Sequence, residues 1–480
     1  MTAKTQNTPV QTAHRISTGC AGLDTILLGG FLRGSVFILE GSPGAGKTVL
    51  ANQVCFHQAQ AGERSVYVTL LAESHDRLLK NLSSMSFFDA DLWPMSIDYI
   101  SGFHILTTKG LNGILELIMK ECRARNASML VLDGLFVLEE NVQSEREFRK
   151  FVNDVTNLAA LMDCTVLLLT NSRQQPQPRP EHTMVDGWIE MNTHQLAYRA
   201  YRDLSIRKYR GSDFIPGRHS FTISDEGVRV FPRLETVTRR EIPEAPLEGR
   251  VSSGLPALDK MVSGGFPAAT TSLLFGPTGA GKTTLALQFA AAATAEEPAL
   301  FYSLYEAEVR LRMKSERLGL NVGEMMDRGL IHFIWTPPSE NLLDELGNKL
   351  LRAIKKHKIK RLVLDGVDAF DDSAVHPERL PGFLNALNSE LRRMEVSSLF
   401  TTRTEILPPP TFSVNLGNLS AVAENILLLR YEEEGKHLRR YLSVLKVRDS
   451  AFDPLWREYT ISQGGILFTD GPRDPASGTG

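Results

Sequence analysis

Two stretches of this chain share the spacing Gly-x-x-x-x-Gly-Lys-Thr: Gly41-Ser42-Pro43-Gly44-Ala45-Gly46-Lys47-Thr48 and Gly276-Pro277-Thr278-Gly279-Ala280-Gly281-Lys282-Thr283. That pattern is suited to binding phosphate. Its glycines let the backbone wrap around an anion so that several N–H groups point at it, and the helix that follows adds its positive N-terminal end. Lys47 and Lys282 are expected to reach the β- and γ-phosphates, and Thr48 and Thr283 to offer a hydroxyl to Mg²⁺. Val49 and Thr284 carry each motif into its helix. ATP and Mg²⁺ are the expected ligands.

Three further residue types fit the same chemistry. Asp133 and Asp365 each end a strongly apolar run roughly 80–90 residues after a Lys-Thr pair, where an aspartate orients Mg²⁺. Glu73 (in TLLAES) and Glu306 (in SLYEAE) follow an apolar run after each motif and are the carboxylates expected to polarise an attacking water. Late in each half lie Lys208-Tyr209-Arg210 with Ser212, and Lys446-Val447-Arg448 with Ser450. Two cations at i and i+2 leave a strand on one side. Aimed at a neighbouring subunit's γ-phosphate, they would stabilise charge developing in the transition state. These residues are counted with the nucleotide-binding set.

The elements that must hold these residues repeat once along the chain. Ser17-Thr18-Gly19…Leu23-Asp24 recurs as Ser252-Ser253-Gly254…Leu258-Asp259, and the Gly-rich loops recur at the same offset of 235 residues; the Lys-x-Arg segments recur at 238. A duplicated domain explains this. SVFILEG, SVYVTLL, ASMLVLDGL and CTVLLLT read as strands apolar on both faces, and KTVLANQVCFHQAQAG as a helix. The expected fold is α/β: two tandem P-loop NTPase domains, each a mainly parallel twisted sheet flanked by helices. The first is placed at 14–232 and the second at 250–468. A polar linker at 233–249 joins them, and a disordered tail is expected at 469–480.

Composition limits the partners. Apolar residues make up 42% of 480 residues, and the net charge is -3, so sequence-independent binding to nucleic acid is not expected. The loops after the fourth strand of each half, RQQPQPRPEH (173–182) and ILPPPTFSVNLG (406–417), lack stacking platforms and a basic groove. Tyr198, Arg199, Tyr201 and Arg202 form an aromatic-basic cluster that reads as an amphipathic hairpin. Four scattered cysteines read as free thiols in a reducing compartment. With no signal-like N-terminus and no membrane-length apolar run, the expected location is the cytoplasm.

The order Ser/Thr-Gly…Leu-Asp…Gly-Gly-Phe, P-loop, Glu, LVLDG, Lys-x-Arg, held twice in one chain, resembles the KaiC family of clock ATPases and autokinases, within the RecA/DnaB group, over roughly residues 14–470. The resemblance implies a homohexamer in two stacked rings with ATP between subunits and a regulatory protein partner. It also implies slow hydrolysis in the first ring and Ser/Thr autokinase and autophosphatase activity in the second. By the same resemblance Glu306 binds Mg²⁺ and activates the acceptor hydroxyl, and Arg440 contacts nucleotide across the interface.

There are departures from the family pattern. It carries two adjacent glutamates where each half here aligns one, Glu73 or Glu306. Ser420 aligns with the first of two adjacent acceptors, but Ala421 stands at the second, so only one-site autophosphorylation at Ser420 is available. The family's adenine-side aromatic has no counterpart around Leu318, and the short tail departs from the segment that engages an activator. A relative outside the full clock system is the better fit. Two other readings stand beside this one: a RecA-like DNA-dependent ATPase, and a scaffold that ATP assembles without essential kinase activity.

Overall fold

The computed structural model describes residues 14–71, 75–142, 144–172, 179–196, 198–237, 248–337, 341–403 and 422–469. Glu73, Ser420, residues 238–247 and residues 470–480 lie outside these, as do most of the two loops after the fourth strands. The chain divides into two compact units, 1–233 and 234–480.

Each unit is built on one sheet with nine strands among the described residues. Across the first sheet the strands run Gly227–Phe231, His219–Ser224, Arg199–Tyr209, Gly187–Leu196, Val36–Gly41, Thr165–Asn171, Met129–Asp133, Ser65–Thr69 and Ile97–Ser101. The six from Gly187–Leu196 onward are parallel, and the other three form an antiparallel extension at one edge. The second sheet has the same order, with Thr271–Gly276 at the position of Val36–Gly41. The tandem α/β architecture expected from the sequence is the one observed.

The central strands are apolar on both faces because both faces are covered. Phe37 and Leu39 belong to one core with the helix Lys47–Gln60, whereas Val36 and Ile38 belong to the other with Phe151 and Val155 of the helix Glu145–Met162. All four cysteines are free and buried. Burial pushes the Cys55 thiol up to about 12, which leaves it unreactive at neutral pH.

A buried glutamine on each P-loop helix fastens the antiparallel edge. Gln53 Nε2 donates to the Val228 carbonyl at 3.3 Å, and its Oε1 accepts from Val228 N at 2.8 Å. Gln288 does the same with the Gly464 carbonyl and Ile466 N, both at 3.0 Å. Both groups of the amide are satisfied, so the buried polar side chain carries little desolvation cost. The repeated Asp24 and Asp259 accept from Thr18 N at 2.8 Å and Ser253 N at 2.7 Å, fixing the turn that opens each unit.

Within the segment read as a linker, Leu234–Val237 forms a helical turn on the second unit. Leu234 is buried there. Arg379 bonds Glu235 at 3.0 and 2.8 Å and Asp344 at 3.0 and 2.9 Å. A guanidinium that bridges two carboxylates holds the turn by direction as well as charge.

Candidate nucleotide sites

Both Gly-rich loops join the end of a central strand to a helix. The helices Lys47–Gln60 and Lys282–Ala291 begin at the motif lysines. Gly46 and Gly281 precede them with φ of 96° and 106°, a left-handed conformation that disfavours any side chain. There is also no room for one. A Cβ on Gly46 would sit 2.4 Å from Ile223 Cδ1, and one on Gly281 2.7 Å from Ile461 Cδ1.

Lys47 Nζ donates to the Gly41 and Ser42 carbonyls at 2.7 and 3.0 Å, and Lys282 Nζ to those of Gly276 and Pro277 at 2.6 and 2.9 Å. Burial lowers the pKa of both lysines, with Asp133 and Asp365 opposing. Each ammonium is therefore poised to exchange carbonyl oxygens for more strongly charged phosphate oxygens.

The aspartates end strands two places from the loop strands, and each meets the motif threonine. Thr48 Oγ1 donates to Asp133 Oδ2 at 3.1 Å, and Thr283 Oγ1 to Asp365 Oδ2 at 3.3 Å. The second support differs between the units. In the first, the buried Tyr67 hydroxyl donates to Asp133 Oδ2 at 2.6 Å. In the second, Phe301 stands at the position of Tyr67, and Thr401 Oγ1 donates to Asp365 Oδ1 at 2.5 Å. Burial raises the Asp365 pKa, and nearby Glu306 adds to it, against hydrogen bonds from Thr401 and Thr283. Glu306 is half-buried beside Lys314, 3.8 Å away, and its backbone N–H donates to Ser303 Oγ at 2.9 Å. A hydroxyl and a carboxylate at the loop exit are hard oxygen donors of the kind Mg²⁺ takes.

The Lys-x-Arg strands alternate as expected: Tyr209 and Val447 point into the cores. Lys208 Nζ donates to the carbonyls of His182, Thr183 and Val185 at 2.9, 2.9 and 2.6 Å, and Arg210 Nη2 to the Thr183 carbonyl at 2.8 Å. Lys446 Nζ donates to the Ala423 carbonyl at 2.9 Å, and Arg448 lies exposed beside Asp449. Ser212 and Ser450 accept from Arg15 and Arg250 at 2.6 Å each, tying the end of each strand to the start of its unit.

Arg440 lies with its guanidinium 5.5 Å from the centroid of the Tyr431 ring, and the Tyr431 hydroxyl is 3.0 Å from where a Gly279 Cβ would be. Arg202 pairs with Thr193 in the same register, so it is the first unit's counterpart of Arg440. Sequence reasoning set it aside as part of a hairpin. The 238-residue offset that relates Lys208 to Lys446 also relates these two arginines. Both Nε atoms are buried without a partner among the described residues.

A family profile described as "ATPase: KaiC" matches residues 16–235 and again 251–472. The chain belongs to the KaiC family of ATPases. It is 25% identical over 480 residues to the circadian clock oscillator protein KaiC of Picosynechococcus sp., covering 98% of this chain and 92% of that one. Two Synechocystis proteins are similarly distant. The circadian clock oscillator protein KaiC 1 is 24% identical, with 97% of this chain and 91% of that one covered, and the circadian clock protein KaiC3 is 26% identical, with 94% and 91% covered. The two matched stretches coincide with the two sheets, so this KaiC-family ATPase carries the family domain twice. Among the described residues no helix is long and apolar enough to cross a membrane.

Proposed function

We propose that this KaiC-family chain hydrolyses Mg-ATP as a homohexameric double ring in the cytoplasm, with ATPase units at 14–232 and 250–468. Its second unit transfers phosphate to its own Ser420, and a regulatory protein partner reads the result in signalling or circadian-type timing. One observation carries this reading: each unit brings a complete P-loop, a Thr–Asp pair and a Lys-x-Arg strand together in one sheet. The exposed Lys446 and Arg448, and the Nε atoms of Arg202 and Arg440 that have no partner among the described residues, support completion of each site by a neighbouring chain. The relatives' clock names support the timing role.

In this reading the loop amides and Lys47 or Lys282 hold the phosphates. Thr48 with Asp133, and Thr283 with Asp365 and Glu306, hold Mg²⁺, which when bound neutralises phosphate charge. Glu73 accepts a proton from water in the first unit, and Glu306 one from the acceptor hydroxyl in the second.

The test is mass measurement in solution with and without ATP, followed by phosphosite mapping after incubation with γ-labelled ATP. A hexamer carrying label at Ser420 is expected. A single chain at saturating ATP, or label undiminished in Ser420→Ala, overturns the ring or the acceptor assignment respectively.

A further inference from the structure

The end of the strand Ser397–Arg403 carries a side-chain cluster that the first unit lacks. Arg403 pairs in register with Gly276, the first residue of the second P-loop. The Gly276 carbonyl accepts from Lys282 Nζ at 2.6 Å. Neighbouring strands lie about 4.8 Å apart, so Arg403 is rooted one strand spacing from the backbone that anchors the phosphate-binding lysine. Its direction follows from strand alternation. Thr401, two residues earlier, reaches Asp365, and Arg403 leaves the sheet on the same face.

There Arg403 Nε donates to Asp368 Oδ2 at 2.9 Å, and Nη2 donates to the Tyr305 hydroxyl at 2.7 Å. The Tyr305 hydroxyl donates in turn to Asp368 Oδ2 at 2.9 Å. The guanidinium lies 4.8 Å from the Tyr305 ring centroid. The ring is seated on Gly366, where a Cβ would be 2.4 Å from it. The Arg403 side chain is nonetheless 58% exposed, and among the described residues only two of a guanidinium's five N–H groups are engaged. In the first unit the same three positions are Leu71, Phe136 and Asn171, none of them charged.

We infer that Arg403 is a phosphate-contacting residue of the second nucleotide site, supplied by the chain that also supplies the P-loop, and that Asp368 and Tyr305 form the cradle that holds it before triphosphate binds. This rests on the ATP reading above. A triphosphate presents more negative charge than Asp368, and Arg binds phosphate in a planar, bidentate manner. The guanidinium therefore exchanges its carboxylate for the terminal phosphate. A diphosphate lacks that group and leaves Arg403 in its cradle. The second site thus gains a means of telling ATP from ADP. Tyr305 directly precedes Glu306, so release of the ring also loosens the chain that carries the second unit's carboxylate.

The test uses the full chain carrying Lys47→Ala, in which only the second P-loop is complete, titrated with fluorescent N-methylanthraniloyl ATP and ADP. Arg403→Gln is expected to weaken ATP about tenfold and ADP less than about twofold. Arg403→Lys should recover part of the loss, and Asp368→Asn should tighten ATP by freeing the guanidinium. Thermal unfolding of each variant separates a binding effect from a folding one. Equal losses for ATP and ADP in Arg403→Gln, or an ATP/ADP ratio unchanged in both Arg403→Gln and Asp368→Asn, overturn the inference. If the Lys47→Ala chain with Arg403 intact binds neither nucleotide, the ATP reading of the site fails as well.

Discussion

The two nucleotide sites share their first layer and differ in the layer behind it. Both loops turn through a left-handed glycine, both lysines bond two loop carbonyls, and both threonines meet an aspartate. Behind this, Asp133 is held by a tyrosine from the neighbouring strand and Asp365 by a threonine from the strand on its other side. Lys208 is saturated by three carbonyls, whereas Lys446 donates to one. The second unit adds the charged cluster of Tyr305, Asp368 and Arg403. Duplication preserved what backbone geometry and phosphate chemistry dictate. The side chains that tune each site had more than one physical solution, and there the copies diverged.

The largest effect should come from the Lys-x-Arg strands, and it should differ in kind between the units. Replacing Lys446 and Arg448 together by Ala in the Lys47→Ala chain is expected to slow ATP turnover by about 10³. Thermal stability should barely change, because these side chains make few internal bonds. Replacing Lys208 and Arg210 instead removes four donations to the backbone around Thr183, so it should also lower the melting temperature. Steady-state turnover and thermal unfolding of both pairs decide this. Equal losses of stability in the two pairs would remove the contrast.

A smaller effect is expected at Asp365. In the proposed reading Asp365 orients Mg²⁺, so Asp365→Asn should weaken Mg²⁺-dependent nucleotide binding by roughly 10–100-fold. Stability should move the other way. Burial raises this carboxyl's pKa above its ordinary 3.8, so the folded state retains the proton more strongly than the unfolded chain does. Unfolding free energy therefore falls as pH rises from near 3.8 through the raised value, and the cost is fully present at neutral pH. Asp365→Asn abolishes that slope and should leave the second unit at least as stable at pH 7. The readouts are Mg²⁺ titration of nucleotide binding and a pH series of denaturant unfolding. A variant less stable at neutral pH would show that the aspartate's hydrogen bonds outweigh its desolvation.

What could be read from the sequence follows the same division. The loops were legible because only glycine serves at Gly46 and Gly281, and the parallel sheets because strands covered on both faces must be apolar throughout. Tyr67 and Thr401 were not legible: a tyrosine and a threonine are ordinary strand residues, and only the register places them against Asp133 and Asp365. Arg202 was within reach of the 238-residue offset but was masked by its aromatic neighbours. The turn Leu234–Val237 lies in a polar stretch, and its anchor Arg379 is far off in sequence, where no local pattern reports it.

The smallest predicted effect probes the comparison most directly. Tyr67→Phe and Thr401→Val each remove one hydroxyl that donates to a buried aspartate and leave the packing nearly unchanged. A hydrogen bond to a charged acceptor contributes about 1.5–3 kcal/mol, part of which the remaining threonine contact retains. Each change should weaken Mg-nucleotide binding several-fold in its own unit and leave the other unit unaffected, as read in Lys282→Ala and Lys47→Ala backgrounds. The exchange is the sharper test. Phe301→Tyr should bring a hydroxyl within reach of Asp365 and compensate Thr401→Val, since the register there matches that of Tyr67 and Asp133. If the double variant binds Mg-nucleotide no better than Thr401→Val alone, the two supports are not interchangeable, and the aspartates of the two units are held for different ends.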